Sequence, residues 1–311
     1  MRVFNDFESV PDEFCGGAVS VGKFDGMHLG HVLIVHRLKR HACRLSVPSV
    51  VVTFSPHPVA VLRPELNVKP ICTLSRKIEL IGGFNVDALV VVHTDKEFLR
   101  QSAETFFFGT LRERLRACVI VSGTNFTFGR DRVGTAESIR HYGNWSGTDI
   151  DIVEPIQIGS ALVSSSGIRK LIQEGKIGEV NELMPLPYRL TGTVVSGDAR
   201  GRLLGFPTAN LEQIETIIPK QGVYATIATI NDKKYNSTTS IGISPTFDQL
   251  TPRVEVFLHE FEGNLYGKIL HIDLLAYLRD VKKFDSKESL INQMQQDIKQ
   301  SNEIAAKYSP P

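Results

Sequence analysis

Val21-Gly22-Lys23-Phe24-Asp25-Gly26-Met27-His28-Leu29-Gly30-His31 is the stretch whose reading decides the fold. A short apolar run, Ala18 to Val21, leads into it, and a helical pattern carries on from it to about Arg44. Strand, glycine-bearing turn and helix start together make an anion site, because the first N–H groups of a helix lack partners and carry the positive end of its dipole. Phosphate is the natural guest. His28 and His31 stand where that helix begins, one turn apart, so both rings can lean toward one ligand and donate hydrogen bonds to it. The plainer reading is that the two histidines close a loop while Gly26 and Gly30 permit tight packing. His36 and His41 follow, but steps of five residues on an α-helix turn successive rings about 140° apart, which argues against a zinc cage.

Outward from this stretch, the 311 residues leave room for two cores at the usual ~150 residues per domain. A hydrophobic content of 42% with 22% charged residues describes an ordinary globular chain. Thirty-five basic against 34 acidic residues give a formal net charge of +1. That excludes a global field for nucleic acid or anionic membrane, so phosphate recognition has to be local. Cys15, Cys43, Cys72 and Cys118 form no C-x-x-C pair, which favours reduced cytoplasmic thiols over a disulfide framework or a zinc site. No signal-like apolar run accompanies the acidic Asp6, Glu8, Asp12 and Glu13, and no segment approaches about 18 consecutive apolar residues. The expectation is a cytoplasmic protein that binds neither nucleic acid nor membrane.

Ser49 to Phe54 is a continuous β-branched run, the mark of a strand buried on both faces, and it ends in Ser55-Pro56-His57-Pro58. Thr73 to Gly82 reads as a helix, Asp87 to Val92 as a strand, Ser102 to Arg116 as an amphipathic helix and Ala117 to Ser122 as a strand. The last of these runs into Gly123-Thr124-Asn125-Phe126-Thr127-Phe128-Gly129. Asp149 to Val153 is a further strand, followed by Val163-Ser164-Ser165-Ser166-Gly167-Ile168-Arg169 and a helix through Glu174. The alternation predicts a doubly wound parallel sheet whose polar loops open at one edge. Serines there cap a helix, and with Arg169 one turn in they can also clamp a polyphosphate.

In this order, G-K-F-D-G-M-H-L-G-H, T-F-S-P-H-P, G-T-N-F-T-F-G and S-S-S-G-I-R closely resemble the adenylyltransferase module of the bacterial bifunctional riboflavin kinase/FAD synthetases. The resemblance implies a Rossmann-like nucleotidylyltransferase domain at residues 1–185. By resemblance, His28 and His31 contact ATP phosphates, and Arg169 stabilises departing pyrophosphate. Gly22, Phe24, Asp25, Asn125, Ser164, Ser165 and Ser166 help bind ATP and FMN. Lys23 stands where the family usually has asparagine, and Ser166-Gly167 where it has threonine-arginine.

Beyond Pro185-Leu186-Pro187 the pattern changes from helical period to alternation. Tyr188 to Ser196, Val223 to Ile230, Tyr235 to Ile243, Arg253 to Glu260 and Leu270 to Leu278 read as strands of an antiparallel barrel, and about Ser286 to Lys299 as a closing helix with Ser286 as cap and Glu288 near its start. The loop Gly197 to Asn210 lacks the lysine and following hydroxyl of a Walker motif. Its G-R-L-L-G-F-P-T-A-N nevertheless resembles the riboflavin kinase signature. That implies a six-stranded β-barrel of riboflavin-kinase type at residues 186–311, with a terminal helix. On the same resemblance Thr208 and Asn210 hold Mg2+ and ATP phosphates, Glu255 is the general base, and Gly201, Arg202, Gly205, Phe206 and Arg279 bind ATP or flavin. The partners are riboflavin, FMN and ATP, with a homo-oligomer allowed for. Two other readings compete: a chain keeping one of the two activities, and a flavin-binding sensor without turnover. Retention of His28, His31, Thr208, Asn210 and Glu255 argues against the sensor.

Overall fold

The computed structural model describes residues 1–159, 161–197, 201–243 and 252–308. They divide into two compact units, one of Met1–Pro70 with Leu74–Ser164, the other of Ile71–Thr73 with Ser165–Pro311.

The first unit runs β1 (Arg2–Phe4), β2 (Ala18–Val21), α1 (Leu29–Leu45), β3 (Ser49–Ser55), α2 (Pro58–Leu62), α3 (Leu74–Gly82), β4 (Ala88–His93), β5 (Val119–Gly123), α4 (Ala136–Ser146) and β6 (Asp149–Val153). A small hairpin, β7 (Gln157–Ile158) with β8 (Ala161–Leu162), follows. The first six strands form one parallel sheet in the order β1-β4-β3-β2-β5-β6. Both faces are covered, as the uninterrupted apolar runs require. Val50, Val52, Val90 and Val92 enter one core with Phe106 and Phe107. Val51, Leu89 and Val91 enter the other with Val35, Leu38 and Ile81. Strand order reverses at β2, which has β3 on one side and β5 on the other. The crevice outside the carboxyl ends of β2 and β5 is therefore the switch point where such sheets bind ligands.

The segment expected as an α-helix over 102–116 is instead a π-helix over Thr105–Arg114, with the Leu115 N–H donating to the Thr110 carbonyl. The wider coil brings Phe106, Phe107 and Leu111 onto the buried side together. A propensity reading does not distinguish the two helices, because side-chain packing selects between them.

The second unit comprises α5 (Ser165–Gln173), α6 (Ile177–Glu182), β9 (Arg189–Val195), β10 (Ala209–Glu212), β11 (Gly222–Ile230), β12 (Lys233–Ile243), β13 (Pro252–Leu258), β14 (Ile269–Arg279) and α7 (Lys287–Ala305). The strands close an antiparallel barrel in the order β10-β13-β12-β11-β14-β9. Its core joins Leu190, Val194, Leu211, Val254, Val256 and Ile272 to Ile168, Ile172, Ile177 and Val180 of the two short helices. Asn181 stitches α6 to the barrel: its amide donates to the Leu274 carbonyl (2.9 Å) and its Oδ1 accepts from the Tyr188 N–H (3.0 Å). β10 completes the closure and has no counterpart among the five expected strands, since its four residues follow directly on a loop that reads as glycine-rich surface. Ser286 caps α7 and Glu288 lies in its first turn, as expected, and Ser289 is the reciprocal partner in the capping box.

Candidate active sites

The turn from β2 to α1 is under backbone strain. Phe24 and Met27 both have positive φ, 45° and 42°, and both are buried. Bulky residues hold that conformation only where packing over-determines it. The turn delivers His28 to the N-cap of α1 in extended conformation. There its ring stacks on His31, centroids 3.7 Å apart and planes 19° from parallel, while the edge of Phe24 meets His31 at 5.2 Å. A Cβ on Gly30 would stand 3.1 Å from the His28 ring, so the glycine is what lets that ring fold back over the helix start. Both Nδ1 atoms are buried and have no hydrogen-bond partner among the described residues. Burial pushes His28 down to about 4, against the opposing pull of Asp25. Burial, the neighbouring His28, and the charges of Lys77 and Lys23 hold His31 well below the usual imidazole range. Near neutral pH the pair is uncharged, each ring with one donor and one acceptor. As expected from the helical phase, His36 and His41 point elsewhere: His36 packs on Phe84 and His41 meets Asp151 at 2.9 Å.

Gly22 follows β2 with its N–H on the Val52 carbonyl, and its missing side chain leaves room for the Phe24 ring. Asp25 is buried in the same turn. Asn125 is exposed on the loop leaving β5, the strand beside β2. Ser164 precedes α5, Ser165 and Ser166 open it, and Arg169 lies on its next turn. Ser165, Ser166 and Arg169 belong to the second unit.

On the barrel, β10 and β13 pair so that Asn210 is opposite Glu255, flanked by Ala209 opposite Val256 and Leu211 opposite Val254. The flanking pairs are buried, so Asn210 and Glu255 project together from the other side of the wall. Asn210 Oδ1 is buried and has no hydrogen-bond partner among the described residues. A Cβ on Gly197 would come within 2.1 Å of the Asn210 amide nitrogen, and one on Gly201 within 2.3 Å of the Phe206 carbonyl. Both glycines are therefore needed for the loop to wrap this side chain. Thr208 precedes β10, its Oγ1 facing the Gly201 side of the loop. Glu255 is half-buried, 3.6 Å from Arg253. Phe206 follows Gly205, which has a φ of +86°, and sets its edge against Phe257 on the Glu255 side of β13. Arg279 is bound in two-pronged fashion to Asp297 of α7 (2.9 and 2.7 Å), and its remaining nitrogen donates to the Asp280 carbonyl (3.0 Å). The Arg202 side chain and residues 198–200 lie outside the described residues.

A family model described as FAD synthetase matches residues 11–167, and one described as riboflavin kinase matches residues 184–305. A bifunctional riboflavin kinase/FMN adenylyltransferase of Listeria monocytogenes serovar 1/2a is 33% identical over 93% of this chain and 92% of its own length. The Bacillus subtilis (strain 168) protein of the same name is 32% identical over 93% and 92%. The chain belongs to the bifunctional riboflavin kinase/FMN adenylyltransferase family. Among solved structures, one titled a macrolide-efflux protein from Streptococcus pneumoniae shares the fold at a TM-score of 0.86 and 30% identity, covering 96% of this chain and 98% of that one. No helix among the described residues is long and apolar enough to cross a membrane.

Within the family's first module, one contributor escaped the motifs. Lys77 on α3 is buried and its charge acts on His31. A helical lysine reads as a solvent-facing residue. The available signal is its phase, since Lys77 shares a stripe with Leu80 and Ile81, one turn ahead, and all three are buried.

Proposed function

We propose that residues 186–311 phosphorylate riboflavin to FMN and residues 1–185 adenylylate FMN to FAD, each with ATP and Mg2+, in the cytoplasm. In the second reaction a phosphate oxygen of FMN attacks the α-phosphorus of ATP and pyrophosphate leaves. No covalent nucleophile is required, so catalysis is positioning and charge stabilisation. His28 and His31 would donate hydrogen bonds to the phosphates as neutral imidazoles. Gly22, Phe24 and Asp25 shape the turn that aims them. Asn125, Ser164, Ser165 and Ser166 would bind ATP and FMN, and Arg169 would meet the pyrophosphate.

In the kinase reaction Glu255 would take the proton of the ribityl hydroxyl as that oxygen attacks the γ-phosphorus, the bond to the β,γ-bridging oxygen breaks and ADP leaves. Thr208 and Asn210 suit a hard divalent cation, since both offer neutral oxygens and Asn210 Oδ1 is buried without a partner among the described residues. No group of three or more His, Cys, Asp or Glu side chains fit for a metal occurs among the described residues. Bound there, Mg2+ would neutralise charge on the nucleotide phosphates. Gly201, Arg202, Gly205 and Phe206 would cover the nucleotide, and Arg279 would reach ATP or flavin only with the N–H groups that Asp297 and Asp280 leave over.

The observation carrying this reading is that both motifs terminate in buried polar atoms with no hydrogen-bond partner among the described residues: the two imidazole Nδ1 atoms and Asn210 Oδ1. Incubating the purified chain with riboflavin, ATP and magnesium should yield FMN first and FAD after it. The appearance of neither flavin sinks the proposal.

A further inference from the structure

The adenylyl-transfer reading leaves Lys77 unexplained. Its residue is only 7% exposed, and a buried ammonium is tolerated only where acceptors replace water. Its Nζ donates to Thr53 Oγ1 at 3.3 Å and to the Phe54 carbonyl at 3.5 Å. The Thr53 hydroxyl, fully buried near the carboxyl end of β3, in turn donates to the Lys23 carbonyl at 3.1 Å. Lys23 opens the strained turn that carries Phe24 and Met27 and ends at His28. A chain of hydrogen bonds thus runs from α3 through β3 into the turn, tying together three elements that sequence separates.

We infer that Lys77 is a positioning residue for adenylyl transfer: through Thr53 it clamps the Lys23 carbonyl, and so holds the turn that presents the two stacked imidazoles. The inference rests on the assignment of that reaction to His28 and His31. A second consequence follows from charge. The groups facing His31 are His28 in the stack, Lys23 on the turn and Lys77 on α3, with Asp25 acting on His28. The two lysines disfavour the imidazolium, so His31 stays a neutral hydrogen-bonding group well below neutral pH. Substitution of Lys77 removes both the clamp and one of those charges.

The test compares Lys77→Met, Lys77→Arg and Thr53→Val in the full chain, measuring FAD formation from supplied FMN across pH and the His31 titration by NMR. Lys77→Met should lower kcat about 10-fold or more with KM for ATP little changed, because the groups are misplaced rather than removed. Its acid limb and the His31 titration should both move to higher pH. Lys77→Arg should recover the wild-type pH limb, Thr53→Val should lower kcat without moving the limb, and riboflavin phosphorylation by the same chains should be unchanged. An unmoved acid limb in Lys77→Met, or a raised KM with kcat intact, overturns the inference. His31→Ala is the separate control: if it still makes FAD, the site assignment itself is wrong.

Discussion

The two candidate sites, to which the proposed function gives the same task of holding a triphosphate still, are built in opposite ways. The first stores its chemistry in a strained turn at the edge of a parallel sheet, where burial keeps two imidazoles neutral and stacked. The second stores it in the register of two antiparallel strands, where pairing alone sets Asn210 opposite Glu255 and an unstrained wall carries both. A turn of that kind depends on the packing around every side chain that supports it. A ladder depends on the alternation of side chains, and tolerates change wherever the flanking valines keep their places. The first site should therefore be the more sensitive to remote substitutions and to pH, the second to anything that crowds its loop.

The largest effects break the comparison outright. His28→Ala with His31→Ala should reduce FAD formation by ~10³-fold or more while FMN accumulates, as expected when hydrogen-bond donors to a developing charge are removed. Glu255→Ala should lower riboflavin phosphorylation by roughly 10²–10⁴-fold, the span of a general base, and leave FAD synthesis from supplied FMN intact. Separating the flavins over a time course distinguishes the two. Loss of both products in either variant would mean that the chemistry is not divided as proposed.

Smaller effects sharpen it. Gly197→Ala places a methyl 2.1 Å from the Asn210 amide and should cost the kinase reaction about 100-fold. Gly30→Ala meets the His28 ring at 3.1 Å, a contact that a few tenths of an ångström relieve, and should cost adenylylation about 10-fold. Steady-state rates of the two half-reactions, each measured in both variants, check that the losses do not cross over.

The smallest predicted effect concerns stability. His28 binds its proton at about 6.5 when unfolded and about 4 when folded, so below pH 6.5 the unfolded chain takes up protons that the native one refuses. The stability of the first unit should fall as pH drops from about 6.5 toward 4, and should not depend on this histidine above pH 7. Trp145, the single tryptophan, lies on α4 of that unit, so its fluorescence in urea titrations at several pH values reads the right transition. A His28→Asn chain should show a shallower slope, and an equal slope in both chains would exclude the mechanism. His259 of the barrel, also lowered by burial, adds a dependence of the same sign in the second unit.

Much of this was legible in the chain itself. The apolar runs at Ala18 to Val21 and Ser49 to Phe54 announce strands covered on both faces, and the spacing of His28 and His31 puts two rings on one helix start. Strand boundaries around Val223 to Ile230 and Tyr235 to Ile243 follow from alternation and fall close to the observed ends. What escaped has a common cause. β10 is too short for a periodic signal, the π-helix over Thr105–Arg114 differs from an α-helix only in hydrogen-bond register, and Lys77 is a charged residue whose burial depends on the strand beneath it.

Local sequence determined the identity of the elements and the chemical groups at their ends, because backbone preference and hydrophobic period act over a few residues. Tertiary structure alone decided that Asn210 faces Glu255, that the two imidazoles lose water and stack, and that Lys77 reaches the turn through Thr53. Strand register, desolvation and side-chain relays are properties of segments brought together from distant parts of the chain, and they come into being only once the barrel closes and the sheet is covered.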